Sequence, residues 1–174
     1  MSADRPAGQH PRLFVAVWPD VETTARLAGL ERVARRGVRW VRPEQCHVTL
    51  RFLGAADPDR VVDALRGVRY APVTAVMGPR IGRLGRGVLM VPVAGLDSLA
   101  AEVIGCTAEL GRPPDPRPFL GHLTLARLKG SPACGLVDAE LQGEWPVTSI
   151  RLVASETRPD GPTYRELAEV PLRR

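Results

Sequence analysis

One short pattern occurs twice in this chain, and the repeat limits what the chain can fold into. HVTLRFLG begins at His47 and HLTLARLKG begins at His122. Each is His-x-Thr-Leu inside an apolar, β-prone run. The chain holds 3 histidines, and the third, His10, lies in a polar leader. In a strand, alternate side chains point to opposite faces. His47, Thr49 and Arg51 are therefore expected on one face, and Val48, Leu50 and Phe52 on the other. The second face is wholly apolar and reads as the core face. In the second copy Leu123 and Leu125 go inward, while His122 and Thr124 share the outward face. Two strands with the same polar pair, each backed by apolar residues, are expected to meet across a cleft.

The remaining segments alternate between strand and helix patterns. RLFVAVWP, from Arg12 to Pro19, reads as a buried strand stopped by proline. Asp20 is placed to cap a helix running to Gly37, with Leu27, Leu30, Val33 and Ala34 as its apolar stripe. VRWV (Val38 to Val41) is extended. A second helix starts at Asp57 with Pro58 in its first position and ends at Gly67. Residues 71–93 read as two strands joined through Gly85, Arg86 and Gly87, with a bend or edge at Pro79. A third helix is predicted from about Leu96 to Leu110, and a short one from Pro132 to Leu141. Two strands, Val147 to Ser155 and Tyr164 to Leu172, close the chain around a turn at residues 159–162. The pattern fits an α+β fold with two antiparallel sheets. Residues 1–11 are expected to form a flexible leader and 12–174 a single domain of two similar lobes.

Composition narrows the function classes. The formal net charge of +5 favours an anionic partner such as nucleic acid or a phosphorylated small molecule. The arginines are scattered, which argues against a disordered nucleic-acid tail. No apolar run approaches the ~20 residues of a membrane span. Cys46, Cys106 and Cys134 are an odd, widely spaced set, unsuited to a disulfide framework or a cysteine zinc site. Cys46 reads as a small core residue. The missing signals and unpaired thiols point to the cytoplasm.

Histidine is the side chain that holds or releases a proton near neutrality, with an ordinary pKa of ~6.5. Two facing histidines can therefore supply a general base and a general acid. A threonine hydroxyl two residues on can grip a non-bridging phosphate oxygen. One such set per motif suits in-line attack on a cyclic phosphodiester. A single His-x-Thr occurs by chance in many proteins; two copies in a chain this poor in histidine do not read as chance. Neither motif contains a carboxylate, so a metal site is poorly supplied with ligands. Gly-x-Ser-x-Gly is absent, and GRLGRG (Gly82 to Gly87) lacks the spacing and ending of a P-loop or dinucleotide fingerprint.

Taken together, RLFVAVWP, RWVRPEQCHVTLRFLG, FLGHLTLARLKG and VASETRPDGPTYRELAEVPL resemble the 2H phosphoesterase superfamily. Within it they are most similar to the RNA 2′,3′-cyclic phosphodiesterases, also called 2′-5′ RNA ligases, of the LigT-like or ThpR type. The resemblance implies two lobes related by a pseudo-twofold, with two antiparallel sheets facing a central cleft and helices outside. It implies metal-independent, cofactor-free hydrolysis of 2′,3′-cyclic phosphate ends to 2′-phosphomonoesters. His47 would be the proton donor, His122 the proton acceptor, and Thr49 and Thr124 the phosphate ligands. The substrates would be RNA or oligonucleotide ends, among them tRNA fragments, or cyclic mononucleotides, handled by a monomer. Arg127 also matches the motif, but alternation sets it opposite His122, so a bulge or a strand end must turn it into the cleft; otherwise it contacts nothing relevant. Phe14 is a candidate base-stacking residue whose ordinary role is core packing. Alternatives are 2′-5′ RNA ligation by the same site, hydrolysis of another cyclic nucleotide product from tRNA splicing or ADP-ribose metabolism, and a non-catalytic RNA or nucleotide binder.

Overall fold

A computed structural model of the chain describes residues 10–130, 132, 135–158 and 161–173. In chain order the elements are β1 (Arg12–Val17), α1 (Val21–Ala28), β2 (Val38–Trp40), a 3-10 turn (Pro43–Gln45), β3 (Val48–Ala55) and α2 (Pro58–Arg66). Then come β4 (Val73–Met77), β5 (Gly82–Leu84), β6 (Val88–Ala94), α3 (Asp97–Cys106), β7 (His122–Leu128), β8 (Gly143–Val147), β9 (Ser149–Arg158) and β10 (Gly161–Pro171). One antiparallel sheet has the order β10-β9-β1-β3; the other runs β2-β7-β6-β4-β8, with β5 also paired to β6. Among the described residues no helix is long and apolar enough to cross a membrane.

The two motif strands occupy equivalent places. β3 pairs with β1, the strand before α1, and β7 pairs with β6, the strand before α3. The helices tie the two halves together. α1 leaves the first sheet and packs on β8 of the second, while α3 leaves the second and packs on β3 of the first. One core therefore runs through both sheets, with Val15, Val48 and Leu50 on one side and Val91, Leu123 and Leu125 on the other. Each such buried aliphatic side chain contributes roughly 1.5–3 kcal/mol. The opposite face of β1 carries a smaller cluster: Phe14 and Ala16 with Val153, joined by Trp18 and Tyr164.

Helix ends depart from the sequence reading where side chains intervene. Asp20 does cap α1, its carboxylate accepting from the Thr23 amide at 2.8 Å. The helix stops at Ala28 rather than near Gly37, because Arg32 folds back. Its guanidinium donates to the carbonyls of Leu27 (2.6 Å), Ala28 and Leu30 (both 3.3 Å). Those are the acceptors a continuing helix would need. Asp57 caps α2 and Gly67 ends it, as expected. α3 ends at Cys106, earlier than Leu110. The helix expected over Pro132 to Leu141 is not formed at 135–138, which make a turn. There Asp138 has a φ of 66°, and the amide of Asp138 and the carbonyl of Ala139 bond to Ile81 instead of along a helix. GEWPV, most of which lies between the expected helix and the strand expected from Val147, forms β8, and buried Trp145 anchors it. The turn at Pro159 and Asp160 lies outside the described residues; the strands on either side pair as a hairpin.

Strict alternation fails inside both motifs, and at the same residue. On β3 the pairing passes from Thr49 opposite Ala16 to Arg51 opposite Val15, so Leu50 is an extra residue. On β7 it passes from Thr124 opposite Met90 to Ala126 opposite Leu89, so Leu125 is extra. A bulge reverses the parity of every later side chain. Arg51, expected beside His47, is 4% exposed on the core side, and its guanidinium donates to the Arg112 carbonyl. Phe52, expected in the core, is 36% exposed.

Candidate active site

Both histidines stand at the start of their strands and are held in the same way. The ring Nδ1 of His47 lies 2.7 Å from the Gln45 carbonyl, and that of His122 lies 2.8 Å from the Leu120 carbonyl. A carbonyl oxygen only accepts, so each Nδ1 carries the hydrogen. Nε2 is then the nitrogen free to take or give a proton. The local chain explains the match. Gln45 closes a 3-10 turn and Leu120 ends the 112–120 loop, so each leaves a carbonyl unused two residues before its histidine.

His47 and His122 line one cavity of about 490 Å³ together with Thr49, Thr124 and Arg127. The volume falls in the usual range for small-ligand sites. The bulge at Leu125 resolves the sequence conflict over Arg127, which is turned to the face of His122 and Thr124. Arg39 lies opposite Arg127 in the β2–β7 pairing and lines the same cavity, as does Arg42.

The two histidines differ in setting. His47 is boxed by aromatic rings: Phe14 stacks on it at 4.9 Å, Trp18 lies at 4.8 Å, and Tyr164 meets it edge-on at 5.1 Å. Burial pushes its pKa down to about 4. The Gln45 carbonyl opposes that shift, and the positive charges of Arg127 and His122 add to it. Unliganded, His47 is neutral at pH 7. Phe14, 4% exposed, backs this ring and is not among the residues lining the cavity. Tyr164, outside the sequence-derived site, lines the cavity, and its hydroxyl pKa is raised chiefly by burial.

His122 depends on its neighbour Gly121. A Cβ at Gly121 would stand 2.3 Å from the Val93 carbonyl oxygen, and the Val93 amide donates to the Gly121 carbonyl at 2.8 Å. Only a residue without a side chain lets β7 enter the sheet this closely. Gly121→Ala is therefore expected to displace His122. Activity should fall by at least about tenfold in protein whose circular dichroism still reports the fold, with a lowered melting temperature because the clash is with backbone. An alanine variant with wild-type turnover would show that His122 does not depend on this contact.

Cys46 is buried, and burial pushes its thiol up to about 11. Its Sγ lies 3.5 Å from the Thr124 carbonyl and so joins the two motifs at their base. A thiol held protonated in this way is a packing residue. Among the described residues no three His, Cys, Asp or Glu side chains gather so as to hold a metal ion. Arg39, Arg42 and Tyr164 are ionisable cavity residues that sequence reasoning left out of the site. Arg39 and Arg42 sit within the RWVRPEQCH stretch, and their nearness to the first motif was the available signal.

Comparison with known proteins finds relatives in sequence and in fold. The model of the LigT-like phosphoesterases matches residues 17–76. The RNA 2′,3′-cyclic phosphodiesterase of Thermus thermophilus is 34% identical, over 93% of this chain and 90% of the relative. The crystal structure of TT0787, also from Thermus thermophilus, superposes with a TM-score of 0.81 at 33% identity, covering 93% of this chain and 98% of that one. Escherichia coli LigT in its apo form shares the fold, with a TM-score of 0.76 at 22% identity over 96% of this chain and all 100% of its own.

Proposed function

Because the chain belongs to the LigT-like phosphoesterase family, we propose that it hydrolyses RNA 2′,3′-cyclic phosphate ends to 2′-phosphomonoesters by a two-histidine, metal-independent mechanism. The observation that carries this reading is the matched pair of histidines, each with Nδ1 on a backbone carbonyl, on the wall of one arginine-lined cavity. The relative from Thermus thermophilus bears the name of this activity. In the proposed step His122 takes a proton from water as the water oxygen attacks phosphorus. The bond from phosphorus to the 3′-oxygen breaks, and His47 protonates that oxygen. The hydroxyls of Thr49 and Thr124 donate to the non-bridging oxygens, and Arg127 offsets their charge. Every role is filled by this chain's own side chains. One chain also completes the cavity, so a monomer suffices. The same site would accept cyclic mononucleotides and tRNA fragments that carry the cyclic end.

Incubation with a 2′,3′-cyclic nucleotide, with and without EDTA, tests the reaction directly. A 2′-phosphate should form at the same rate in both. Turnover abolished by the chelator would overturn metal independence, and a 3′-phosphate product would reverse the choice of leaving oxygen.

The low pKa of His47 gives the mechanism a pH signature. A proton donor must be charged in the complex, yet free His47 is neutral above about pH 4. The phosphodiester anion offsets the repulsion from Arg127 and His122, so binding should recruit the proton. Calorimetry near pH 6.5 with 2′-AMP, in buffers of different ionisation heat, is expected to show uptake of close to one proton. In kcat/KM, which reports the free protein, the limb due to His47 should fall as pH rises through about 4. The matching limb in kcat should lie at higher pH. A kcat/KM that rises through this range to a plateau would instead make His47 the base and exchange the two roles.

A further inference from the structure

Trp18 stands between β1 and Pro19, one residue past the end of the strand. A residue before proline is held largely to extended backbone. Its indole therefore continues the face that carries Phe14 and Ala16, and it packs on their cluster. The indole meets the His47 ring at 4.8 Å, with a tilt of 31°. The Arg151 guanidinium lies over the same indole, 5.5 Å from its centroid. Trp18 is not among the residues that line the cavity of His47. It touches the histidine without facing the ligand space.

Arg151 is itself held in place. It lies on β9, opposite Ala16 of β1 and Glu169 of β10. With strict alternation Glu166 and Glu169 would point to opposite faces of β10. The pairing instead passes from Glu166 opposite Val153 to Ala168 opposite Leu152, so Leu167 is an extra residue. This bulge has the effect of those in the two motifs: residues three apart come to one face. Glu166 and Glu169 both reach Arg151, at 3.4 and 3.8 Å, and the Ser149 hydroxyl donates to Glu169. Part-exposed ion pairs of this kind add little stability. What they do here is hold a planar cation over an aromatic face.

We propose that Trp18, clamped by Arg151, is a positioning residue for His47: it fixes the plane of the imidazole and keeps water from it. The inference rests on the reading of His47 as the proton donor. The bond between Nδ1 and the Gln45 carbonyl sets one axis of the ring and leaves rotation about that axis; the indole opposes the rotation. The Nε2 proton is then aimed at one point, the leaving oxygen. Phe14 and Tyr164 add to the enclosure. The charges that bear on His47, Arg127 and His122, both come from β7. The charge of Arg151 is met by its two carboxylates, so Arg151 acts through the indole. Burial is the first cause of the low pKa of His47, and Trp18 supplies part of that burial.

Trp18→Ala tests this in the whole chain. Water then reaches the charged form of the ring, so an NMR titration of His47 should move from about 4 up toward the ordinary ~6.5. The limb of kcat/KM assigned to His47 should move to higher pH with it. The highest kcat should fall about tenfold as the ring loses its setting. Trp18→Phe restores a flat ring and should return most of both effects. Arg151→Lys keeps a charge between the carboxylates but does not cover the indole. It should move the titration the same way by a smaller amount. Arg151 is part-exposed on the sheet, so this variant reports even where Trp18→Ala does not fold. A loss of stability alone would lower activity without moving the titration. A His47 titration left unmoved by the variants that fold, whatever kcat does, would overturn the positioning role and leave the hydrolysis reading intact. A fully active His47→Gln would overturn the donor reading itself, and the role of Trp18 with it.

Discussion

Replacing His47 or His122 is expected to lower turnover of a 2′,3′-cyclic nucleotide by about 10²-fold or more. Each ring has its Nδ1 hydrogen committed to a carbonyl, so each offers one exchangeable nitrogen, and among the described residues no carboxylate lines the cavity to stand in for it. Glutamine is the better replacement at 47. Alanine would leave a hole among Phe14, Trp18 and Tyr164, and the loss of packing would be mixed with the loss of chemistry. At His122, half-exposed at a strand start, alanine suffices. The two losses should not multiply in the double variant, because an acid without its base leaves little to remove. Steady-state assay of the three variants checks this, with circular dichroism to confirm the fold. Losses of only a few-fold at both positions would sink the acid–base mechanism.

Arg127→Ala is expected to lower kcat/KM by about 10- to 100-fold, the scale of one or two charge-assisted hydrogen bonds. Arg127→Lys should recover only part of it, since a point charge replaces a planar fork. Removing this cation should also raise the pKa of His47, because Arg127 is one of the charges that hold it down. An NMR titration of the His47 ring in Arg127→Ala reads that shift without reference to turnover. A tenfold loss of activity together with an unmoved His47 titration would place Arg127 away from the proton-transfer pair.

Much of the site was legible in the residues themselves. A His and a Thr two apart in a strand share a face whatever the partner strand, and the apolar residue between them names the core side. His47, Thr49, His122 and Thr124 were found on that ground, and all four line one cavity. Caps at Asp20 and Asp57 were legible for the same reason: they involve neighbours within one turn. Legibility ended where a contact came from far along the chain. Arg32 wraps back on α1, Ile81 draws off the backbone bonds of the 138–139 segment, and Tyr164 reaches His47 from the last strand.

The bulges mark the division most sharply. From the sequence alone came the repeat, the His–Thr pairs and the apolar face behind them, because these depend on side-chain order within one strand. The faces of Arg51, Phe52 and Arg127 were decided by the tertiary structure. An extra residue in a strand is defined only against the strand it pairs with, and the registers of β3 on β1 and β7 on β6 are set by how both sheets fill a common core. That register put Arg127 on the wall of the histidine-lined cavity and left the Phe52 ring exposed.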